Sequence, residues 1–147
     1  KNALGINYAK KFLIPFKVIS GGRNKFEKIA LRELLEKKIQ LVCLAGFMKI
    51  LSKSFLRSFK GRVLNIHPSL LPKYKGLNTH KRVLQNRDKF TGCTVHYVDE
   101  KLDNGRIILK KRVVIKNNEY EKHLEKRVKN EEHKAFSMAI RRIYLSN

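Results

Sequence analysis

The sequence has no tryptophan, two cysteines and three prolines, and it is poor in acidic residues. Cys43 and Cys93 stand singly in apolar stretches rather than in a CxxC pair. We therefore interpret both as small buried side chains and expect neither a disulfide nor a zinc site. The longest apolar runs fall far short of the roughly 20 residues that a membrane-spanning helix needs, and no signal peptide is recognisable. These absences favour a cytoplasmic protein without a membrane partner.

Basic residues greatly outnumber acidic ones: Lys and Arg total 34, Asp and Glu total 12, and the formal net charge is +22. Such a charge suggests a nucleic-acid-binding protein. The basic residues are spread along the whole chain, however, and no aromatic-plus-basic RNA-binding motif accompanies them. A lysine-rich genome, or electrostatic steering of a polyanionic substrate, also accounts for the charge. We rank genomic bias first, steering second and nucleic-acid binding third.

The 147 residues are enough for one domain with a sizeable core, and we predict a single domain over residues 1–147. Short β-branched runs alternate with longer helical patterns, which predicts an α/β fold with a largely parallel sheet. The predicted strands are 15–20, 40–45, 62–67, 93–98 and 107–115. The predicted helices are 25–38, a short helix capped by Ser54, 79–86 and 118–144. The opening KNALGINYAKKF has the pattern of a helix from a strand-helix unit.

The stretch VLNIHPSLLPKYKG, residues 63–76, carries the clearest chemical signal. Residues i and i+2 of a strand share a face, so Asn65 and His67 project together from the end of a buried strand that Pro68 terminates. At such a strand end Asn can donate to a developing oxyanion, while His moves a proton or adds positive charge, which suits acyl transfer. The alternative is a hydrogen-bonded pair that merely anchors a loop.

Asp103 lies in HYVDEKLDNGRII, where Asp-Asn-Gly predicts a turn between the two flanking strands. A carboxylate on that loop could also contact the imidazole of His67. The residues alone leave both interpretations open.

Four segments resemble the phosphoribosylglycinamide formyltransferases of purine synthesis. They are LAGFMKILS at 44–52, NIHPSLLPKYKGLNTH at 65–80, TGCTVHYVDEKLDNGRIIL at 91–109 and KNEEH at 129–133. They occur in the family's order. Weaker similarity extends towards the N-terminus as far as KNALG, so the resemblance covers nearly the whole chain. Methionyl-tRNA formyltransferases would be expected to follow SLLP with an arginine- and tryptophan-rich sequence. Formyltetrahydrofolate hydrolases would carry a second His where this chain has Pro68.

The resemblance implies a Rossmann-like formyltransferase fold and a transferase that moves a formyl group from 10-formyltetrahydrofolate to glycinamide ribonucleotide without a metal. It implies that Asn65, His67 and Asp103 are the catalytic residues. The residues implied to bind folate are Met48, Ile50, Leu51, Val98 and Asp99, and those implied to bind the ribonucleotide are Glu132, Gly76 and Lys73. Ordinary core packing is the alternative role for Ile50 and Leu51.

The chain also departs from the family pattern. Asn78 stands where His is common, Lys75 where Pro is usual, and Lys129 where Gln is usual. The family's first strand-helix-strand segment, with its Gly-Ser-Asn phosphate-binding turn, has no counterpart in this sequence. A segment of that kind is about forty residues long. We therefore expect an N-terminal truncation and weak nucleotide binding by the chain alone. SGGRN at 20–24 is interpreted as an ordinary loop.

Two alternatives to the purine enzyme stay open. One is another folate-formyl enzyme, either a formyltransferase to a different amine or a formyltetrahydrofolate hydrolase. The other is a basic, non-enzymatic nucleic-acid-binding protein, which predicts submicromolar binding with a steep salt dependence.

Overall fold

The computed structural model describes residues 3–145. Its helices are α1 (Leu4–Lys11), α2 (Arg23–Glu36), α3 (Lys53–Ser58), α4 (Thr79–Gln85) and α5 (Glu121–Leu145). Its strands are β1 (Leu41–Leu44), β2 (Arg62–His67), β3 (Phe90–Tyr97) and β4 (Ile107–Val114). None of the helices in the described range combines the length and the apolar character needed to cross a lipid bilayer.

The strands form one sheet in the order β1-β2-β3-β4, so β1 and β4 are its edges. β1 and β2 pair in parallel, whereas β2 with β3 and β3 with β4 pair antiparallel. The α/β architecture predicted from the sequence is confirmed, but the described sheet is mixed rather than mostly parallel. The loop at 98–106 is too short for the crossover that two parallel strands need, so β3 and β4 form a hairpin.

Helices cover both faces of the sheet. On one face Val63 of β2 belongs to an apolar cluster with Phe55 and Phe59, against which residues of α2 also pack. On the other face Ile66 packs against a cluster of buried side chains from β3, β4, α4 and α5. Because side chains alternate along a strand, Asn65 and His67 lie on the face of Val63. The fold therefore presents both residues beside α2 and α3, at the carboxyl end of β2.

Two expectations from the sequence are wrong in the N-terminal part of the sheet. Residues 15–20 form no strand, and Phe16 and Val18 are largely exposed, because no described strand lies beside them to satisfy their backbone groups. Cys93 is buried as expected, but Cys43 is exposed. Cys43 shares the sheet face that α5 covers, and α5 packs over β3 and β4 rather than over β1.

The N-cap of α3 is Ser52, not Ser54. Ser52 Oγ accepts a hydrogen bond from the backbone N–H of Phe55 at 3.1 Å and donates to Glu27 Oε2 at 2.5 Å. The backbone N–H of Ser52 donates to Glu27 Oε1 at 2.7 Å. Since the carboxylate comes from α2, the local sequence around α3 could not distinguish the two serines. This contact joins α2 to α3.

Replacing Ser52 by Ala is expected to lower the free energy of unfolding by about 1–2 kcal/mol, because it removes the cap and a partner of the buried Glu27 carboxylate. Ser54→Ala is the matched control and should cost less than about 0.5 kcal/mol, since Ser54 bonds only to the Ser52 hydroxyl. Urea unfolding of both variants measures the difference. Equal losses would contradict the assignment of the cap.

Candidate active site

The three side chains predicted to be catalytic come together at the carboxyl end of β2. His67 Nδ1 lies 3.3 Å from Asp103 Oδ2, and both side chains are buried. Asn65 lies two positions earlier on the same face of β2. The turn containing Asp103 does join β3 to β4, as its sequence suggested, and it also carries the carboxylate to His67. An amide donor, an imidazole and a carboxylate therefore share one site.

The imidazole of His67 lies between two acceptors. Its Nε2 donates to the carbonyl oxygen of Tyr74 at 2.8 Å, and its Nδ1 faces Asp103. A carbonyl oxygen can only accept, so Nε2 carries a hydrogen in this arrangement. An imidazolium would therefore have a partner for each of its N–H groups.

Asp103 joins the two loops that form the site. Its Oδ2 accepts a hydrogen bond from the backbone N–H of Gly76 at 2.9 Å, in addition to facing His67. Asp103 and Tyr74 both have left-handed backbones, with φ of 46° and 56°. Non-glycine residues seldom adopt this conformation, and where they do it is often at ligand sites. Both residues that contact His67 thus adopt this conformation, as do five other non-glycine residues in the described part of the chain.

Sequence reasoning missed two residues that hold the loop after β2. Thr94, opposite His67 in the β2–β3 register, accepts from the backbone N–H of Leu71 at 3.1 Å and donates to the carbonyl of Ser69 at 2.7 Å. The Ser69 hydroxyl donates to the carbonyl of Lys73 at 2.6 Å. Both side chains are fully buried. They fix the loop that presents the Tyr74 carbonyl to His67.

His96 is a further residue that the sequence did not reveal. It faces Asn65 across the β2–β3 pair, and its Nε2 lies 3.3 Å from Asn65 Nδ2 and 3.8 Å from Asp103 Oδ1. Its Nδ1 lies 2.8 Å from the carbonyl oxygen of Tyr97. Burial lowers the pKa of His96, although the Tyr97 carbonyl and Asp103 oppose that shift. The sequence signal for this position was the spacing of Thr94 and His96 in TVHY, because residues two apart in a strand share a face.

The residues predicted to bind folate lie in different environments. Met48 and Ile50 are 76% and 53% exposed, so Ile50 is not a core residue. Leu51 is buried in the cluster with Phe55 and lines an apolar cavity of about 320 Å³ between α2 and β1. The backbone N–H of Val98 donates to the carbonyl of Val63 at 2.8 Å. Asp99 accepts from the backbone N–H of Lys101. Their role in folate binding stays a prediction.

Of the residues predicted to bind the ribonucleotide, only Gly76 hydrogen-bonds to one of the three residues predicted to be catalytic, within the described part of the chain. Lys73 Nζ lies 3.5 Å from Asp88 Oδ2. Glu132 is half-buried on α5, and burial raises the pKa of its carboxyl group. Their roles also stay predictions.

No group of three or more His, Cys, Asp or Glu side chains within residues 3–145 is arranged to hold a metal ion. The expectation of a reaction without a metal is a statement about mechanism and stays a prediction. Burial raises the pKa of the Cys93 thiol to about 12, so this side chain is a neutral core residue at physiological pH.

The chain matches known proteins over nearly all of its length. The family described as formyl transferase matches residues 1–140. The trifunctional purine biosynthetic protein adenosine-3 of Gallus gallus is 45% identical over 140 residues, which are 92% of this chain and 14% of that protein. The phosphoribosylglycinamide formyltransferase of Escherichia coli is 41% identical over 118 residues, 80% of this chain and 56% of that protein.

Solved structures agree with this similarity. The crystal structure of phosphoribosylglycinamide formyltransferase from Bacillus halodurans superimposes with a TM-score of 0.89 at 31% identity, covering 97% of this chain and 76% of that one. The enzyme from Anaplasma phagocytophilum gives a TM-score of 0.88 at 35% identity, covering 96% of this chain and 69% of that one. The chain thus spans only part of the length of each of these proteins.

Proposed function

The chain belongs to the formyl transferase family, and from that premise we propose that it transfers the formyl group of 10-formyltetrahydrofolate to the amine of glycinamide ribonucleotide, in purine synthesis. The observation that carries the proposal is the convergence of Asn65, His67 and Asp103 at the end of β2. The names of the relatives in Escherichia coli and Bacillus halodurans support the choice of substrate.

In the proposed reaction the amine nitrogen attacks the formyl carbon, and the formyl oxygen becomes the oxyanion of a tetrahedral intermediate. Asn65 Nδ2 donates to this oxyanion, and protonated His67 supplies a second donor and a positive charge. His67 Nε2 exchanges the Tyr74 carbonyl for the oxyanion as substrate binds. Asp103 stabilises the imidazolium and helps to relay the amine proton. The intermediate collapses as the bond between the formyl carbon and N10 breaks, N10 takes a proton, and tetrahydrofolate leaves.

The remaining assignments follow from the same proposal. Met48, Ile50, Leu51, Val98 and Asp99 form the folate side of the site, and Glu132, Gly76 and Lys73 form the ribonucleotide side. Residues 1–147 act as one formyltransferase domain, located in the cytoplasm. Its partners are small-molecule substrates. Its positive charge is attributed to genomic bias first and to steering of the phosphorylated substrate second, rather than to nucleic-acid binding.

The test is a product analysis with the natural full-length protein. It is incubated with 10-formyltetrahydrofolate and glycinamide ribonucleotide, and formylated ribonucleotide and tetrahydrofolate are both measured. Their equal formation is the expected result. Formate release that does not depend on the amine would instead identify a hydrolase. Transfer to a different amine, with none to the ribonucleotide, would overturn the substrate assignment.

Glu132 gives the proposed ribonucleotide site a pH dependence. A carboxylate accepts hydrogen bonds from hydroxyl groups, and it loses its charge on protonation. Because burial raises the pKa of Glu132 above its ordinary value of 4.5, it takes up a proton at a higher pH than an exposed Glu would. The KM for the ribonucleotide is therefore expected to rise as the pH falls through that raised pKa.

Steady-state kinetics between mildly acidic and neutral pH check this expectation. Glu132→Gln should raise KM at neutral pH and remove the acidic rise. Glu131→Gln, which changes the adjacent residue and breaks only an ion pair with Lys134, should keep the wild-type profile. A Glu132→Gln enzyme with an unchanged KM profile would exclude this residue from ribonucleotide binding.

A further inference from the structure

His96 and Asn65 are direct neighbours across the antiparallel pair of β2 and β3. Opposite residues in such a pair project to the same face, so His96 lies on the catalytic side of the sheet. The residue is only 2% exposed. His96 therefore cannot exchange its protein contacts for water, and its hydrogen-bond partners are Asn65 and Tyr97, with Asp103 Oδ1 farther away at 3.8 Å.

The contacts of His96 define its tautomer. The carbonyl oxygen of Tyr97 can only accept, so Nδ1, at 2.8 Å, carries the hydrogen. The charged or titratable groups that act on the ring are Asp103, Asp99 and His67, and burial outweighs the two carboxylates and holds the pKa of His96 below its ordinary value. A neutral ring protonated at Nδ1 has a lone pair on Nε2. That lone pair faces Asn65.

The lone pair on Nε2 determines which way the Asn65 amide turns. With Nδ2 at 3.3 Å, one of its N–H groups donates to His96 and the other is left for a ligand. A flipped amide would place Oδ1 against the lone pair, two acceptors in contact inside a buried site, which is unfavourable. Only one of the two amide orientations is compatible with neutral His96.

We propose that His96 is a positioning residue for formyl transfer: through its Nε2 it holds the Asn65 amide in the orientation that presents an N–H to the oxyanion. This rests on the proposed function, and it adds a residue that acts through Asn65 without touching the substrate. The role differs from that of His67, which faces the oxyanion itself. The orientation of the Asn65 amide matters because a donor stabilises the oxyanion only when its N–H points at the developing charge.

A double-mutant cycle in the natural full-length protein tests the coupling. His96→Leu is expected to lower kcat by about 10- to 100-fold while leaving KM for both substrates nearly unchanged, since the lost effect is a misdirected oxyanion donor. In an Asn65→Ala background the same change should lower kcat by less than about threefold, because no amide remains to be oriented. Equal losses in both backgrounds would show a merely structural role and overturn the proposal.

The conservative variant His96→Gln keeps an acceptor near the position of Nε2, and kcat should return to within about fivefold of the wild type. Failure of Gln to restore kcat in a folded variant would count against the proposal. The control His123→Leu changes an exposed histidine on α5 and should leave kcat unchanged.

One measurement is independent of activity and of the folding of any variant. Nitrogen-15 NMR of the histidine rings in the wild-type protein reports the tautomer of His96. A neutral ring protonated at Nδ1 is expected near neutral pH, and a ring protonated at Nε2 would overturn the proposal. If wild-type protein with this tautomer fails to transfer formyl groups to glycinamide ribonucleotide, the proposed function fails while the geometry of the Asn65 amide stands.

Discussion

His67→Ala is expected to lower the turnover number for formyl transfer by about 100-fold or more, the range for removing a general acid–base or oxyanion group. The change removes the ring that faces Asp103 and leaves that buried carboxylate without its imidazole partner. The loss should appear in kcat and in kcat/KM alike, because the imidazolium interacts with the oxyanion of the intermediate more strongly than with the neutral formyl group. Stopped assays that quantify tetrahydrofolate release measure it.

The control for this variant is His123→Ala, at an exposed position on α5. It should keep wild-type turnover, and both proteins should unfold cooperatively with similar melting temperatures. A His67→Ala enzyme with near-normal turnover would remove His67 from the mechanism. If turnover were lost together with cooperative unfolding, His67→Gln would separate the chemical role from folding, because its amide nitrogen can take the place of Nε2 and donate to the Tyr74 carbonyl.

Gly92→Ala is expected to lower the free energy of unfolding by about 2–4 kcal/mol, at the upper end of the cost of overpacking. A Cβ at this position of β3 would lie 1.9 Å from the carbonyl oxygen of Lys111 on β4 and 2.9 Å from Leu70. The first contact is with backbone, so the β3–β4 pair must move apart to relieve it. Urea or thermal unfolding measures the loss.

Gly5→Ala is the same chemical change where nothing lies within 4 Å of the new Cβ. Gly5 is inside α1, where Ala is favoured over Gly by up to about 1 kcal/mol, so stability should stay the same or rise slightly. A Gly92→Ala protein as stable as the wild type would mean that β3 and β4 pair less closely than described. Because Leu70 lies in the loop after β2, which carries Asn65 and His67, a loss of turnover should accompany the loss of stability.

Much of the site could be predicted because its signals were local. The prediction of a strand at 62–67 is confirmed by β2, and Pro68 follows its last residue. Asn65 and His67 share a face through the period of two of a strand, whatever the rest of the fold does. Asp103 was harder to place, because its position near His67 depends on a turn separated from β2 by α4 and β3. The family resemblance, not the spacing, selected it.

The features that were missed depend on pairing between distant segments. His96 becomes a neighbour of Asn65 only through the register of β2 with β3. Ser52 caps α3 because Glu27 on α2 reaches it. Residues 15–20 carry a strand-like apolar pattern. A strand also needs a neighbouring strand to pair with, and the local sequence does not reveal whether one is present.

The two edges of the described sheet differ in a way that affects how copies of the 147-residue chain meet in concentrated solution. β4 carries Lys110, Lys111 and Arg112 along its edge, and closely spaced cations deter a second chain from adding to a strand. β1 is LVCL, without a charge, and no strand in the described range pairs with its outer side. With a net charge of +22, mutual repulsion keeps such copies apart at low ionic strength. Salt screens that repulsion. During crystallisation or storage at high salt, contacts between copies are therefore expected at the uncharged edge of β1 rather than at the cationic edge of β4.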